Sequence, residues 1–197
     1  MDSSTRSVAR YYTVGLLQMK IAITGGTAGI GQALGNRYEA LGHEVLRLSR
    51  RNSHNIRVIP KMADTIQPCD LFINNAQAGY AQTELLFAMA DRWQGTKKHI
   101  IVISTQMTQS PVSSLPGLDM DQYRIQKIAL EESVRQLRNR DLGIRFTIVR
   151  PGNIATSLDK TVPPAADVDN WANTLIDIFE LVRIQNLRIS DISLGPV

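Results

Sequence analysis

The sequence of 197 residues predicts a single α/β domain, a doubly wound and mostly parallel sheet of about seven strands with an abbreviated third crossover. Two observations support this fold class. Short apolar runs rich in β-branched residues alternate with segments in which apolar residues recur at helical spacing. Glycine-rich or polar stretches follow several of these runs directly, as expected at the carboxyl ends of parallel strands.

Composition excludes several classes of protein. Apolar residues make up 43% and charged residues 20% of the chain, and no apolar run approaches the roughly 20 residues of a membrane helix. The net charge of +4 comes from scattered basic residues, without a Lys/Arg block interleaved with aromatic residues. The sequence therefore predicts neither a membrane nor a nucleic-acid partner.

The cysteine and histidine content predicts no disulfide and no metal site. Cys69 is the only cysteine, which excludes an internal disulfide and favours a reducing, cytoplasmic compartment. Because Cys69 precedes an apolar strand, a structural thiol is favoured over a nucleophile. The histidines His43, His54 and His99 are far apart and lack ligand spacing.

The first 18 residues are predicted to lie outside the domain, which spans 19–197. Scarce acids and two arginines fit a targeting peptide, whereas Met19 directly before the first strand fits an extension upstream of a native start. We favour a non-catalytic extension.

The first strand, over 19–24, leads into a glycine-rich turn and a helix over 32–41. The backbone N–H groups at the start of such a helix can bind a pyrophosphate, and side chains at the glycine positions would block its approach. The alternative is that the glycines serve packing alone. The candidate cofactor ligands here are Thr24, Gly25, Gly26, Thr27, Gly29, Ile30 and Gly31. Strand, glycine turn and helix together predict a Rossmann-like unit.

The second strand, over 43–48, ends at Ser49, Arg50 and Arg51. A cofactor with a free ribose 2′-hydroxyl usually meets an acidic residue at this place, whereas a 2′-phosphate needs an arginine. Two arginines and no acid favour NADP over NAD. The alternative is a pair of solvated surface charges.

A short third strand is predicted over 56–59 and a fourth over 69–74. The interval 60–68, bounded by Pro60 and Pro68, is too short for a full crossover helix and its turns. We therefore expect a turn or a short helical piece there.

The rest of the chain continues the alternation of helices and strands. Helices are predicted over 82–93, 122–140 and 168–182, and strands over 99–103, 144–149 and near 187–192, with a loop over 106–121. Polar or small residues follow three strand ends: Asn74, Asn75 and Ala76; Ser104 and Thr105; Pro151, Gly152, Ile154 and Thr156. Tyr123 and Lys127 are four residues apart and so share a helix face.

Four motifs together resemble the short-chain dehydrogenase/reductase family across residues 19 to about 195. They are the glycine pattern from Thr24 to Gly31, the Asn-Asn-Ala turn at 74–76, the Tyr-x-x-x-Lys pair at 123 and 127, and the Pro-Gly-x-x-x-Thr segment from Pro151 to Thr156. They occur in the family's order, each at or near the carboxyl edge of the predicted sheet.

The resemblance implies an NAD(P)-dependent oxidoreductase that interconverts a small-molecule carbonyl and an alcohol by hydride transfer. Tyr123 would be the general acid/base, and Lys127 would tune it and hold the nicotinamide ribose. The family's substrate-binding serine corresponds to Thr105 here, with Ser104 and then Ser110 as alternatives. Family members commonly form dimers or tetramers, which implies a homodimer or homotetramer through the helices at 82–93 and 122–140.

The sequence also departs from the family. The interval from Thr105 to Tyr123 is long, the loop after Thr156 is brief, and the helix after Asn75 lacks the asparagine that in many members supports a proton relay. The alternative function is therefore a dinucleotide-binding sensor or scaffold with weak or lost turnover.

Overall fold

The computed structural model describes residues 18–109, 120–156 and 165–196. The strands are β1 (Lys20–Thr24), β2 (Glu44–Leu48), β3 (Leu71–Asn74), β4 (His99–Ile103), β5 (Arg145–Pro151), β6 (Ile154–Ala155), β7 (Ala166–Asp167) and β8 (Asp191–Leu194). The α-helices are α1 (Gly29–Ala40), α2 (Ile59–Ile66), α3 (Ala81–Trp93), α4 (Met120–Arg138) and α5 (Val168–Ile184). Short 3₁₀ turns cover Arg50–Asn52 and Gln106–Thr108.

Six strands form one fully parallel sheet in the order β2-β1-β3-β4-β5-β8. The chain runs from β1 outward to β2 and then returns past β1 to β3, so the strand order reverses between β1 and β3. In open α/β sheets, ligands bind beyond the carboxyl ends of the strands at this point of reversal. The predicted α/β, Rossmann-like fold class is confirmed.

Alternate residues of the strands face two separate cores. Ile21 and Ile23 pack with α1 and α5 on one face, whereas Ala22 points to the other face, covered by α2, α3 and α4. Burial on both faces explains why the central strands are almost wholly apolar.

The predicted strand over 56–59 is wrong, because the chain turns at 55–58 and α2 begins at Ile59. Ile59, Met62, Ala63 and Ile66 lie at helical spacing, and the last three are buried. Pro60 lies in the first turn of α2, where its fixed φ suits a helix and its missing N–H costs nothing. The crossover to β3 is thus an eight-residue helix, and the main sheet has six strands rather than seven.

Other boundaries differ by a few residues from those predicted. Helix α4 begins at Met120, β5 extends to Pro151, and the last strand is Asp191–Leu194. Two further short strands, β6 and β7, form a separate parallel pair. The predicted extension over 1–17 and most of the predicted loop at 106–121, Ser110 included, lie outside the described residues. Within the described ranges, no helix is both long enough and apolar enough to cross a bilayer.

His99, at the start of β4, makes the folded state sensitive to acid. Its Nε2 lies 2.9 Å from the Thr147 hydroxyl oxygen, and Thr147 donates in turn to the carbonyl oxygen of Ile189 at 2.6 Å. Burial, with a smaller contribution from Arg145, lowers the pKa of His99 to about 3. The folded state therefore resists the protonation that the unfolded chain accepts near pH 6.5.

We expect the stability contribution of His99 to be complete above pH 6.5 and to fall by about 1.4 kcal/mol per pH unit between pH 6.5 and pH 3. Urea unfolding of the wild type and of His99→Gln across this range measures it. The variant should lose stability less steeply with acid. Parallel curves for the two proteins would contradict the assignment.

Candidate functional site

The glycine turn lies at the strand-order reversal and has a backbone that excludes side chains. Gly25 has a φ of +68°, in the left-handed region. A Cβ on Gly31 would lie 2.4 Å from the carbonyl oxygen of Gly25. The backbones of the turn and of α1 are therefore packed in direct contact. Ala28 is the N-cap of α1, and its side chain accepts no hydrogen bond from the first N–H groups of the helix.

The segment after β5 reaches the same turn. A Cβ on Gly29 would lie 3.4 Å from Thr156, which places the predicted cofactor residues of the two segments side by side. Ile154 is buried, and the N–H of Gly152 donates to the carbonyl oxygen of Leu194 at 3.0 Å. The structure thus brings together the glycine turn and the end of the segment from Pro151 to Thr156.

Thr24 and the Asn-Asn-Ala turn join the ends of β1 and β3. The Thr24 hydroxyl accepts from the N–H groups of Asn75 and Ala76 at 3.0 and 3.1 Å, and the Asn75 amide donates to the Thr24 carbonyl at 2.9 Å. The Asn74 amide donates to the carbonyl oxygen of Gln82 at 2.9 Å. These side chains hold the ends of β1 and β3 in place beside the glycine turn.

A cleft of about 580 Å³ adjoins the glycine turn beyond the end of β2. Gly25 and Ala76 line it, together with the predicted Ser49, Arg50 and Arg51. His54 and Arg57 add two more basic side chains, and none of the described residues that line the cleft carries a carboxylate. The structure places both predicted arginines where the second strand meets the glycine turn.

Tyr123, Thr105 and Lys127 lie together at the carboxyl edge of the sheet. The Thr105 side chain lies within interaction range of the Tyr123 hydroxyl, and the Lys127 ammonium lies 5.6 Å from the centre of the Tyr123 ring. Burial raises the pKa of Tyr123, and the interaction with Thr105 offsets part of that rise. The phenol is therefore protonated at neutral pH, the form that can donate a proton.

Lys127 is buried, with an exposed fraction of 3%, and its ammonium has two protein acceptors. It donates to the Ile103 carbonyl oxygen at 2.8 Å and to Gln82 Oε1 at 2.9 Å. Burial lowers the pKa of Lys127 to about 7, although the carboxylate of Glu131 opposes this shift. Gln82 is a site residue that the sequence analysis missed.

Ser104 does not face Tyr123. Successive residues leave a strand on opposite sides, and the Ser104 hydroxyl donates to Glu131 Oε1 at 2.6 Å. Glu131 also accepts from Thr108 at 2.8 Å and forms two hydrogen bonds with Arg150, at 3.0 and 2.7 Å. The structure therefore separates the two hydroxyls: Thr105 contacts Tyr123, and Ser104 belongs to a buried ion-pair network.

Charge and hydrogen bonding keep Glu131 ionised. Burial raises the pKa of the Glu131 carboxyl, but hydrogen bonds from Arg150, Ser104 and Thr108 outweigh it and hold the pKa below its ordinary value. Glu131 lies one turn beyond Lys127 on α4, a spacing that the sequence displays. Arg150 follows the apolar part of β5, and nothing in the sequence pairs it with Glu131.

Arg47 is a second site residue that the sequence analysis did not identify. Its guanidinium donates to the carbonyl oxygen of Gly26 at 2.9 Å and to Glu39 at 2.9 and 3.1 Å, and so ties the glycine turn to α1. A Cβ on Gly35 would lie 2.7 Å from the guanidinium carbon of Arg47. The sequence offered one signal for this contact, because a glycine in the middle of a helix often marks the close approach of another group to the helix.

In the described ranges, no group of three or more His, Cys, Asp or Glu side chains could hold a metal ion.

No protein-family model and no curated protein matches the sequence, but solved structures match the fold. A short-chain dehydrogenase from Streptomyces avermitilis has a TM-score of 0.72 at 17% identity, over 91% of this chain and 89% of that chain. A short-chain dehydrogenase from Burkholderia cenocepacia in complex with NADP gives 0.69 at 16% identity, over 91% and 89%. The 3-alpha-hydroxysteroid dehydrogenase from a Pseudomonas species, complexed with NADH, gives 0.62 at 17% identity, over 89% and 94%. The chain therefore has the short-chain dehydrogenase fold, and the resemblance predicted from the motifs is confirmed at that level.

Proposed function

We propose that the protein is an NAD(P)-dependent oxidoreductase that interconverts a carbonyl and an alcohol on a small molecule. The observation that carries this proposal is that Tyr123 and Thr105 lie together beside the buried Lys127 ammonium. This group lies at the same sheet edge as the glycine turn. The proposed proton donor and the proposed dinucleotide site would thus share one edge, as carbonyl reduction requires.

The glycine turn fits a dinucleotide. The backbone around Gly25 and Gly31 has no room for side chains, and the uncapped N-terminus of α1 provides N–H donors and the positive end of a helix dipole. Thr156, which lies next to Gly29, would add a hydroxyl to the site. The bound dinucleotide supplies the hydride.

The protein groups would manage the proton and the orientation of the substrate. Thr105 would hydrogen-bond the substrate oxygen, and Tyr123 would donate its proton to that oxygen as the carbonyl becomes an alcohol. Protonated Lys127 would stabilise the phenolate left behind. In the reverse direction the phenolate would accept the alcohol proton.

We further propose NADP as the preferred cofactor. The cleft next to the glycine turn is lined by Arg50, Arg51, His54 and Arg57. Its lining within the described ranges has no carboxylate that would accept from a ribose 2′-hydroxyl. Guanidinium groups bind phosphate through charge-assisted hydrogen bonds, which contribute about 1.5–3 kcal/mol each.

Replacing Arg50 or Arg51 by alanine is expected to weaken NADPH binding by about 10- to 100-fold and to leave NADH binding nearly unchanged. Calorimetric titration with each cofactor measures the two affinities. Lys97→Ala removes one positive charge from the opposite edge of the sheet and serves as the control. Equal losses for NADPH and NADH would exclude recognition of the 2′-phosphate.

The proposed activity is tested by following NADPH oxidation with a panel of aldehydes and ketones, and NADP⁺ reduction with alcohols. Turnover in either direction supports an oxidoreductase. Tight NADPH binding without turnover on the whole panel would favour the sensor or scaffold instead. Failure to bind either cofactor would exclude both functions.

The same proposal includes a small-molecule substrate, a homodimer or homotetramer, and a cytoplasmic location.

A further inference from the structure

The side chain of Gln82 is buried among the ends of β3 and β4, with an exposed fraction of only 2%. Its amide nitrogen donates to the carbonyl oxygen of Asn74 at 2.6 Å and to that of Ile103 at 3.2 Å. Its amide oxygen accepts from the Lys127 ammonium at 2.9 Å. Both ends of this amide are thus occupied, which fixes its position and orientation.

Two of the three N–H donors of the Lys127 ammonium have acceptors among the residues that the structure describes. An ammonium carries three donors, and those of Lys127 to Ile103 and Gln82 use two of them. The two acceptors also hold the nitrogen in place at the end of a flexible four-carbon side chain. The third N–H has no acceptor within the described part of the chain, which makes it a candidate donor to a bound molecule.

The titratable groups beside Lys127 lie on its own helix, and one of them, Glu131, is paired with an arginine of β5. Tyr123 and Glu131 lie one turn on either side on α4, and Arg150 of β5 is hydrogen-bonded to Glu131. The contacts from β3, β4 and α3 are uncharged. The Lys127 ammonium donates to the Ile103 carbonyl and to Gln82, and Gln82 donates in turn to the Asn74 carbonyl. Gln82 is therefore the neutral side chain that touches the ammonium, and replacing it should change the pKa of Lys127.

We propose that Gln82 is a positioning residue that holds the Lys127 ammonium with a single N–H free for the cofactor. The identity of that ligand rests on the proposed function. Gln82 acts through Lys127 and does not touch the reacting atoms. Its amide also links the ends of β3 and β4, so one side chain sets both the sheet edge and the direction of the ammonium.

Three variants test the role of Gln82. Gln82→Met keeps the volume and removes every polar contact, Gln82→Asn keeps the amide but shortens the side chain by one methylene, and Gln82→Glu places a carboxylate beside the ammonium. We expect Met and Asn each to weaken NADPH binding by about tenfold, because the ammonium loses a hydrogen bond that orients it. Gln94→Met makes the same chemical change at the exposed end of α3 and should leave binding unchanged. Wild-type affinity in both Met and Asn variants would overturn the proposal.

The titration of Lys127 separates positioning from simple packing. Carbon-13-labelled lysine followed by NMR across pH, with the Lys127 signal identified by Lys127→Arg, reports the pKa directly. Removing the acceptor in Gln82→Met should lower this pKa by about one unit, and the carboxylate in Gln82→Glu should raise it by about one unit. Shifts of the same sign, or none, would overturn the proposal. This readout needs no turnover. An inactive wild type would contradict the proposed function, whereas the titration would still decide the role of Gln82.

Discussion

Tyr123→Phe is expected to lower carbonyl-dependent NADPH oxidation by at least about a hundredfold and to leave the dissociation constant of NADPH nearly unchanged. The substitution removes only the hydroxyl that lies next to the Thr105 side chain. General acid/base catalysis typically contributes about 10²–10⁴-fold to a rate, which sets the expected loss. The ring that lies beside Lys127 is kept, so the cofactor site should be intact. Steady-state kinetics and calorimetric titration measure the two quantities.

Tyr80→Phe is the matched control, because Tyr80 is 48% exposed at the start of α3. It should retain wild-type turnover. A Tyr123→Phe enzyme that is as active as the wild type would show that the proton comes from another group. Loss of cofactor binding together with turnover would show that the hydroxyl supports the fold of the site rather than the chemistry.

Glu131→Ala is expected to lower the free energy of unfolding by about 3 kcal/mol or more. Its carboxylate is buried, with a side-chain exposure of 3%, and pairs with Arg150 at 2.7 Å. Removing one partner of a buried pair leaves the other charge poorly compensated, at a cost of about 3–5 kcal/mol. Asp191, 2.9 Å from Arg150, retains part of the compensation and places the expected value at the lower end. Urea unfolding at pH 7 measures the change.

Two further variants separate the loss of the pair from the loss of volume. Glu132→Ala removes the neighbouring exposed carboxylate and should cost less than about 1 kcal/mol. Replacing Glu131 and Arg150 together by methionine should recover much of the stability lost in Glu131→Ala, because no unpaired charge then remains at either position. A double variant no more stable than the single one would show that the pair contributes more than charge compensation.

The sequence predicted those parts of the molecule in which local pattern and local structure agree. The apolar runs of β1, β3 and β4 are buried on both faces, so their composition alone marks them as strands. The error at 56–59 arose where a β-branched segment precedes a helix. The buried positions of α2 recur at helical spacing, but over eight residues that signal is weak beside the propensity of Ile and Val for strands.

The candidate site divides in the same way. The spacing of Tyr123 and Lys127 places them on one helix face, and the glycines predict a tight turn before a helix. The sequence alone therefore predicts both features. The choice between Ser104 and Thr105 depends on which side of the strand end each hydroxyl leaves. The structure directs Ser104 to Glu131 and Thr105 to Tyr123.

The sequence by itself determined the α/β class, the edge of the sheet at which the polar residues gather, and the helix that carries Tyr123 and Lys127. These features follow from periodicity and from contacts between residues close in the chain. Only the tertiary structure decided that Gln82 holds Lys127, that Arg150 pairs with Glu131, and that Arg47 ties the glycine turn to α1. Each of these contacts joins different parts of the fold, 45, 19 and 21 residues apart in the chain. A buried polar group takes whichever partner the packing brings within hydrogen-bond reach.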